Sequence, residues 1–273
     1  MGEQHVVGSP RDEVLDRARG LAHAIRLRSA RMVGRHGFGY LGQALSSAET
    51  FGVLAADWWR PGRDDLVVSP GHYIICAYAI GVELGLLDEA ALDTYGEDDS
   101  RLEAIGTERS PVVDLTCGSL GQGLSGAIGF ALAARLDGEP RRTFAFVSDG
   151  ELQEGQTWEA ATFAGHHHLD GLTVLLDANN SQVDGPIDTI TTIEPIADRW
   201  RCFGWDAFDV DGHDVAALHD AIGRAVASPR PAVVIARTST LRGIDALPTD
   251  ADGHFIKLPP DLADAAIAEL EGH

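Results

Sequence analysis

Two short stretches of this sequence carry residues that could hold an ion: Ser148-Asp149-Gly150 and Asn179-Asn180, with 28 residues between Gly150 and Asn179. A carboxylate and a side-chain amide carbonyl are hard oxygen ligands of the kind taken by Mg²⁺ or Ca²⁺. Mg²⁺ commonly bridges one or two protein groups to phosphates rather than sitting in an all-protein cage. The intervening residues predict how the two stretches meet. Residues 143–147 (Thr-Phe-Ala-Phe-Val) are β-rich, 151–168 have helical composition, and 172–177 (Leu-Thr-Val-Leu-Leu-Asp) are apolar again. In such a strand–helix–strand unit the crossover places both carboxyl ends on one sheet edge. Asp149 and Asn179 are therefore expected to converge on one divalent cation that faces a diphosphate. An isolated Asp-Gly would be an ordinary turn; the weight lies in the whole run.

Two other clusters carry less. His166-His167-His168 sit on adjacent helical positions that point in different directions and cannot share one ion, so a solvated helix end is expected. Gly121-Gln-Gly-Leu-Ser-Gly126 follows a strand and satisfies the dinucleotide pattern, with Asp149 ending the next strand. That alternative leaves the Glu-Leu-Gln-Glu-Gly after Gly150 and the Asn-Asn at 179–180 without a use.

The surrounding elements must position these groups. Residues 1–10 read as a flexible arm. Over 11–32, Val14, Leu15, Ala18, Leu21, Ala22 and Ile25 recur at helical spacing and predict an amphipathic helix with a solvated, arginine-rich face. A glycine-rich turn over 34–43 contains Arg35 and His36. The next helix is expected from Ala44, with Ser46 or Ser47 as caps. A short strand then ends at Gly71-His72, followed by an apolar helix over 73–87 and a charged loop over 97–111. Residues 112–117 form a strand that feeds a glycine-rich loop and a helix to Leu136. His213 starts a later helix and reads as structural. Residues 231–237 give a last core strand, and 238–253 run as a loop to His254. The fold class expected is α/β, a doubly wound, mostly parallel sheet with helices on both faces. It is organised as one unit over 11–259, with a C-terminal helix or tail over 260–273.

Composition sets limits on partners. The chain has 273 residues, 44% hydrophobic and 23% charged, with a formal net charge of −21. Such a charge repels nucleic acid and anionic membrane surfaces. No basic leader with an apolar run and no stretch of membrane-spanning length is seen, so a cytoplasmic protein is expected. Cys76, Cys117 and Cys202 form no CxxC and are expected to be reduced, buried thiols.

The run Ser148-Asp-Gly-Glu-Leu-Gln-Glu-Gly-Gln-Thr-Trp-Glu-Ala-Ala161, with Asp177-Ala-Asn-Asn180 and Val183-Asp-Gly185, resembles the thiamine-diphosphate signature of the transketolase family. Ser148 replaces that signature's first glycine. The resemblance implies a thiamine-diphosphate-binding fold in which Asp149, Asn179 and the backbone carbonyl of Ser181 ligate Mg²⁺ or Ca²⁺. It implies that Gly150, and Gly118 and Leu120 of Gly118-Ser-Leu-Gly-Gln-Gly123, line the cofactor. It also places His72 near the diphosphate and the reaction centre, and Glu154 near a subunit interface. Ala44-Leu-Ser-Ser-Ala-Glu49 aligns Tyr40 with a substrate-side histidine of the family, unless His36 takes that place. His254 matches an active-site element of split-subunit relatives. A second family histidine belongs near Ala104, where this sequence has none.

The resemblance spans about 11–259, less than half of a full transketolase. It implies that a glutamate touching the cofactor's aminopyrimidine comes from a pyrimidine-binding domain absent from this chain. The implied protein is the N-terminal subunit of a two-component enzyme, inactive alone. Its partner is a separately encoded C-terminal subunit with pyrimidine-binding and C-terminal domains, in an α₂β₂ heterotetramer. The implied reaction moves a two-carbon ketol unit from a ketose-type small-molecule donor to an acceptor, with His72, His254 and Tyr40 in catalytic roles. A 2-oxo acid decarboxylating or acyl-transferring relative, and a non-catalytic scaffold paralogue, stay open as alternatives.

Overall fold

Runs of buried β-formers become the centre of the molecule because strands covered on both faces need no polar side. The computed structural model describes residues 9–251 and 253–272. In chain order it comprises α1 (Pro10–His36), β1 (Phe38–Gly39), α2 (Leu41–Val53), β2 (Asp65–Pro70), α3 (Ile74–Glu83), β3 (Leu115–Cys117), α4 (Gly123–Asp137), β4 (Thr143–Ser148) and α5 (Gly155–His166). There follow β5 (Leu172–Ala178), β6 (Ser181–Gln182), β7 (Gly185–Pro186), α6 (Ile187–Ile190), α7 (Ile196–Cys202), β8 (Asp206–Asp211), α8 (Val215–Val226), β9 (Ala232–Arg237), β10 (Ile256–Lys257) and α9 (Pro260–Glu271).

The central sheet has six strands in the order β3-β2-β4-β5-β9-β8. Every neighbouring pair is parallel. Side chains alternate between two cores, as the period of two requires. Leu66, Val68, Phe144, Phe146, Leu175 and Val234 face α1, α2, α3, α8 and α9. Val67, Ala145, Val147, Val174, Leu176, Val233 and Ile235 face α4, α5 and α7. The sheet is thus doubly wound, as the sequence predicts. The chain lays β3 to one side of β2, then returns to place β4 on the other, which opens a crevice at the carboxyl edge.

Several local expectations change. Residues 1–8 of the expected arm lie outside the described residues, while Ser9 and Pro10 belong to α1: Ser9 and Asp12 form a capping box, and Pro10 opens the helix. The same helix runs through Gly34, Arg35 and His36, and ends where Gly37 adopts φ 76°. The glycine-rich turn is therefore shorter than expected. Helix α2 starts at Leu41, so Ser46 and Ser47 lie inside it rather than capping it. The basic face of α1 is not wholly solvated either. Arg26 is buried and its guanidinium reaches both carboxylate oxygens of Glu49 at 2.6 and 2.7 Å. Burying that arginine requires a partner of this kind.

The thiols are free, yet only Cys76 is buried; Cys117 is half-buried and Cys202 exposed. Among the described residues, no helix is long and apolar enough to cross a membrane. Helix α9 is packed, with Ala263, Ala266 and Leu270 buried in the core that also holds α1.

Candidate active site

The carboxyl edge gathers side chains from most of the sheet. Asp149 follows β4, Asn179 follows β5, His72 lies just past β2, and Thr238 follows β9. Strands β4 and β5 are in register through Ser148 and Asp177, so their tips stand side by side. The backbone N–H of Asn180 donates to Asp149 Oδ2 at 2.7 Å, which brings the two predicted ligand stretches together. Asn180 holds φ 58°, a left-handed turn that asparagine tolerates.

The other oxygen, Asp149 Oδ1, is buried without a hydrogen-bond partner. Burial and the nearby charge of Asp177 push the Asp149 carboxyl up to about 8. An orphaned, buried carboxylate oxygen is costly unless a cation meets it. Asn179 turns its amide nitrogen to Asp177 Oδ2 at 2.7 Å and Tyr73 Oη at 2.9 Å. Its Oδ1 faces the following loop, where it accepts from the Ser181 N–H at 2.8 Å. Oxygen donors on adjacent strand tips, one of them unpaired, fit a hard divalent cation. Ser181 itself lies in the small β6–β7 ladder, opposite Pro186.

The glycine-rich loop after β3 is organised by Glu151, whose role the sequence does not disclose. This residue is fully buried, and its Oε1 accepts from Ser69 Oγ at 2.5 Å and from the Gly121 N–H at 2.7 Å. The Ser148 N–H donates to its Oε2 at 3.2 Å. Burial pushes the Glu151 carboxyl up to about 7, against these donors. Gly118 and Leu120 lie in the turn that follows β3, exposed and half-buried, and Gly150 opens a short 3₁₀ turn. A Cβ on Gly150 would meet Ser148 Oγ only at 3.8 Å, which leaves its face open to a ligand. Glu154 is exposed at the start of α5.

Gly123 is a tighter case. A Cβ there would lie 2.5 Å from Ser69 Cα, because α4 begins directly against β2. Gly123→Ala is expected to wedge helix from strand, at about 1–3 kcal/mol, and to lower the melting temperature by roughly 5 °C. For Gly118, whose added Cβ would find Ile105 Cγ2 at 3.7 Å, alanine should leave thermal melting of the ligand-free chain unchanged. Equal effects of the two substitutions would contradict the close approach of α4 to β2.

Beside the oxygen donors lies a ring cluster that unites three further predicted residues. Tyr40 stands 5.2 Å from His72 and 6.0 Å from His254 between ring centroids, and the two histidines are 5.2 Å apart. Tyr40 is the N-terminal boundary residue of α2, and a two-residue ladder between β1 and β10 draws the His254 loop toward it. Gln43 Nε2 lies 3.2 Å from His254 Nδ1, which holds the imidazole against α2. Burial, with His254 nearby, lowers His72 to about 3, so its imidazole is neutral. Burial also raises Tyr40 above the ordinary phenol value. Phe255 packs edge-on against Tyr40 at 5.2 Å.

His36 does not take the place of Tyr40. It ends α1 and hydrogen-bonds the Tyr95 carbonyl at 2.5 Å. His213 is structural: the Ser239 N–H donates to its Nε2 at 2.9 Å, which leaves Nδ1–H to face Glu49 Oε2 at 3.2 Å. His166, His167 and His168 are exposed at the end of α5.

Known proteins resemble this chain in sequence and in fold. Residues 18–261 match the family profile described as "Transketolase, thiamine diphosphate binding domain". The chain is 38% identical over 250 residues to a transketolase family protein of Sinorhizobium fredii, covering 88% of this chain and 90% of the relative. It is 36% identical over 263 residues to a 6-deoxy-6-sulfo-D-fructose transketolase subunit from a Clostridium species, covering 92% and 94%. A solved transketolase from Campylobacter jejuni superposes with TM-score 0.85 at 26% identity, over 95% of this chain and 43% of that one. The chain thus spans nearly the whole of the two similar-length relatives and less than half of this solved transketolase.

Proposed function

The chain belongs to the transketolase family, and from that premise we propose that it is the N-terminal, cofactor-gripping subunit of a two-component ketol transferase. The domain that carries this role runs over 11–259. The observation that carries the reading is the meeting, at one sheet edge, of the unpaired Asp149 oxygen with the Tyr40–His72–His254 cluster. Asp149, Asn179 and the Ser181 carbonyl would hold Mg²⁺ or Ca²⁺ against the diphosphate of thiamine diphosphate, with Gly118, Leu120 and Gly150 lining it. When bound, that cofactor supplies a nucleophilic carbon and an electron sink for cleavage of the bond beside a carbonyl.

The chain's own residues do the rest. Asp149 supplies the charge that neutralises a cation, and the Asn179 carbonyl supplies a second, neutral oxygen. His72 remains uncharged and donates or accepts a hydrogen bond at a substrate oxygen without adding a full positive charge. His254, held through Nδ1 beside Gln43, would turn its other ring nitrogen to a substrate oxygen as a proton donor or acceptor. Tyr40 and Phe255 wall the cluster and restrict water.

Two relatives of similar length, one of them named as a subunit, favour an assembly with a C-terminal subunit, which we place in an α₂β₂ heterotetramer. The pyrimidine side of the cofactor would be met by that partner. Coexpression of this chain with a separately encoded C-terminal transketolase subunit tests the reading. The purified pair is expected to pass a two-carbon unit from a ketose phosphate or sulfonate to an aldehyde, and the 273-residue chain alone to turn over nothing. Release of CO₂ from pyruvate by the pair, with no ketol transfer, would refute it.

A further inference from the structure

Asp177 is the last residue but one of β5, which is buried throughout, and a carboxyl there must be met by donors. Its Oδ2 accepts from Ser46 Oγ at 2.6 Å, Tyr73 Oη at 2.8 Å and Asn179 Nδ2 at 2.7 Å, and its Oδ1 accepts from Thr238 Oγ1 at 2.5 Å. The donors come from α2, the turn before α3, the residues after β5 and those after β9. Tyr73 Oη also accepts from Asn179 Nδ2 at 2.9 Å. The nitrogen end of the Asn179 amide is thereby pinned inward from two sides.

A side-chain amide has no shape preference between its oxygen and nitrogen ends; only hydrogen bonds decide which end faces out. Turned by 180°, Asn179 would present N–H donors toward the Ser181 loop, where its oxygen now lies, and a donor there would repel a cation. With the inward end held by Asp177 and Tyr73, the carbonyl oxygen faces the Ser181 loop. We propose that Asp177 and Tyr73 are positioning residues that fix the Asn179 amide with its oxygen toward the divalent cation. Neither touches the cation. The inference rests on the reading of Asp149 and Asn179 as its ligands.

The same hub joins the two halves of the site. Tyr73 directly follows His72 in sequence, with ring centroids 4.9 Å apart. Thr238 opens the segment that returns to His254. One buried carboxyl thus sets the ion side and the histidine side in fixed relation.

The test is a Mn²⁺ titration read by electron paramagnetic resonance, on this chain assembled with its C-terminal partner subunit and saturated with thiamine diphosphate. Wild type is compared with Asp177→Asn, Asp177→Ala, Tyr73→Phe and Asp149→Asn. In Asp177→Asn a carbonyl at the Oδ2 position keeps Ser46, Tyr73 and Asn179 in place, while the new amide nitrogen can donate to Thr238 Oγ1. In Asp177→Ala the Asn179 amide loses its main anchor. Both variants remove the carboxylate, so the difference between them reports the loss of the acceptor that holds the Asn179 amide and its neighbouring donors. From the net worth of one or two hydrogen bonds, Asp177→Ala should bind Mn²⁺ about 5–10-fold more weakly than Asp177→Asn, and Tyr73→Phe about threefold more weakly than wild type.

Equal Mn²⁺ affinity in the Ala and Asn variants would overturn the proposal. Should Asp177→Ala fail to fold, an unchanged affinity in a well-folded Tyr73→Phe would overturn it, and a threefold loss would support it. Asp149→Asn separates the two levels: its expected loss of Mn²⁺ binding upholds the ligand reading whatever the other variants do. No effect there, or no Mn²⁺ binding by wild type, rejects the ligand reading and this proposal together.

Discussion

Asp149→Ala is expected to lower the affinity for thiamine diphosphate in the presence of Mg²⁺ by roughly a hundredfold or more, about 2.7 kcal/mol, while the fold survives. The loss is large because Asp149 is the charged member of the proposed ligand set. The fold survives because the same carboxylate is a burden to the ligand-free chain. Its Oδ1 has no hydrogen-bond partner, and burial beside Asp177 disfavours its charged form. What alanine removes structurally is one acceptor, that of the Asn180 N–H at 2.7 Å. Isothermal titration of the variant assembled with its C-terminal partner subunit, with circular dichroism as the control for folding, measures both effects. Wild-type affinity in a folded Asp149→Ala would remove the metal assignment.

The second large effect is expected at His72. In the assembled two-subunit enzyme, His72→Ala should lower kcat/KM by roughly 10²–10³, the usual loss for a group that stabilises or relays charge in the transition state. The ring is held near Tyr40, Tyr73 and His254, so its loss also empties the middle of the cluster. Its protonation state is a separate, sharper test. Burial first, and His254 second, lower His72 to about 3. Between pH 8 and 5 its ring resonances should therefore stay in the neutral position in an NMR titration of the full chain. The linkage has a definite sign. An unfolded histidine takes up a proton near pH 6.5 while the folded one resists until about 3, so this residue's contribution to stability is complete above 6.5. It is lost as the pH falls through that window. A His72 midpoint near 6.5 would mean that the ring is solvated and cannot serve as an uncharged hydrogen-bonding group at the substrate.

Much of this site can be read along the chain because its parts follow strand ends. Asp149 and Asn179 stand just past two runs of β-formers, and parallel pairing of those runs leaves their tips no choice but to be neighbours. His72 follows a third such run. The groups that act through burial are the ones a linear reading misses. Asp177 and Glu151 read only as members of the motif runs, although an acid near the end of a buried strand already calls for several donors. Local neighbours alone assign Ser46 and Ser47 to a helix cap. In the fold they lie inside α2, where Ser46 reaches Asp177 across the sheet edge and Ser47 bonds the Gln43 carbonyl at 2.5 Å. Arg26 falls on a face that looks solvated, because helical periodicity does not reveal that Glu49 on the next helix lies opposite it.

The order of residues alone determined the two-faced parallel sheet and the meeting of Asp149 and Asn179 at its carboxyl edge, which follow from local periodicity and from the few ways in which parallel strands can be joined; the histidines there were legible only through the family resemblance. Only the tertiary structure decided that Tyr40 rather than His36 enters the ring cluster, that His72 is enclosed and neutral, and which end of the Asn179 amide faces out. Those outcomes depend on contacts between residues far apart in the chain, such as Ser46, Tyr73 and Thr238 around Asp177. Hydrogen-bond direction and desolvation are properties of the packed interior, and no stretch of sequence carries them by itself.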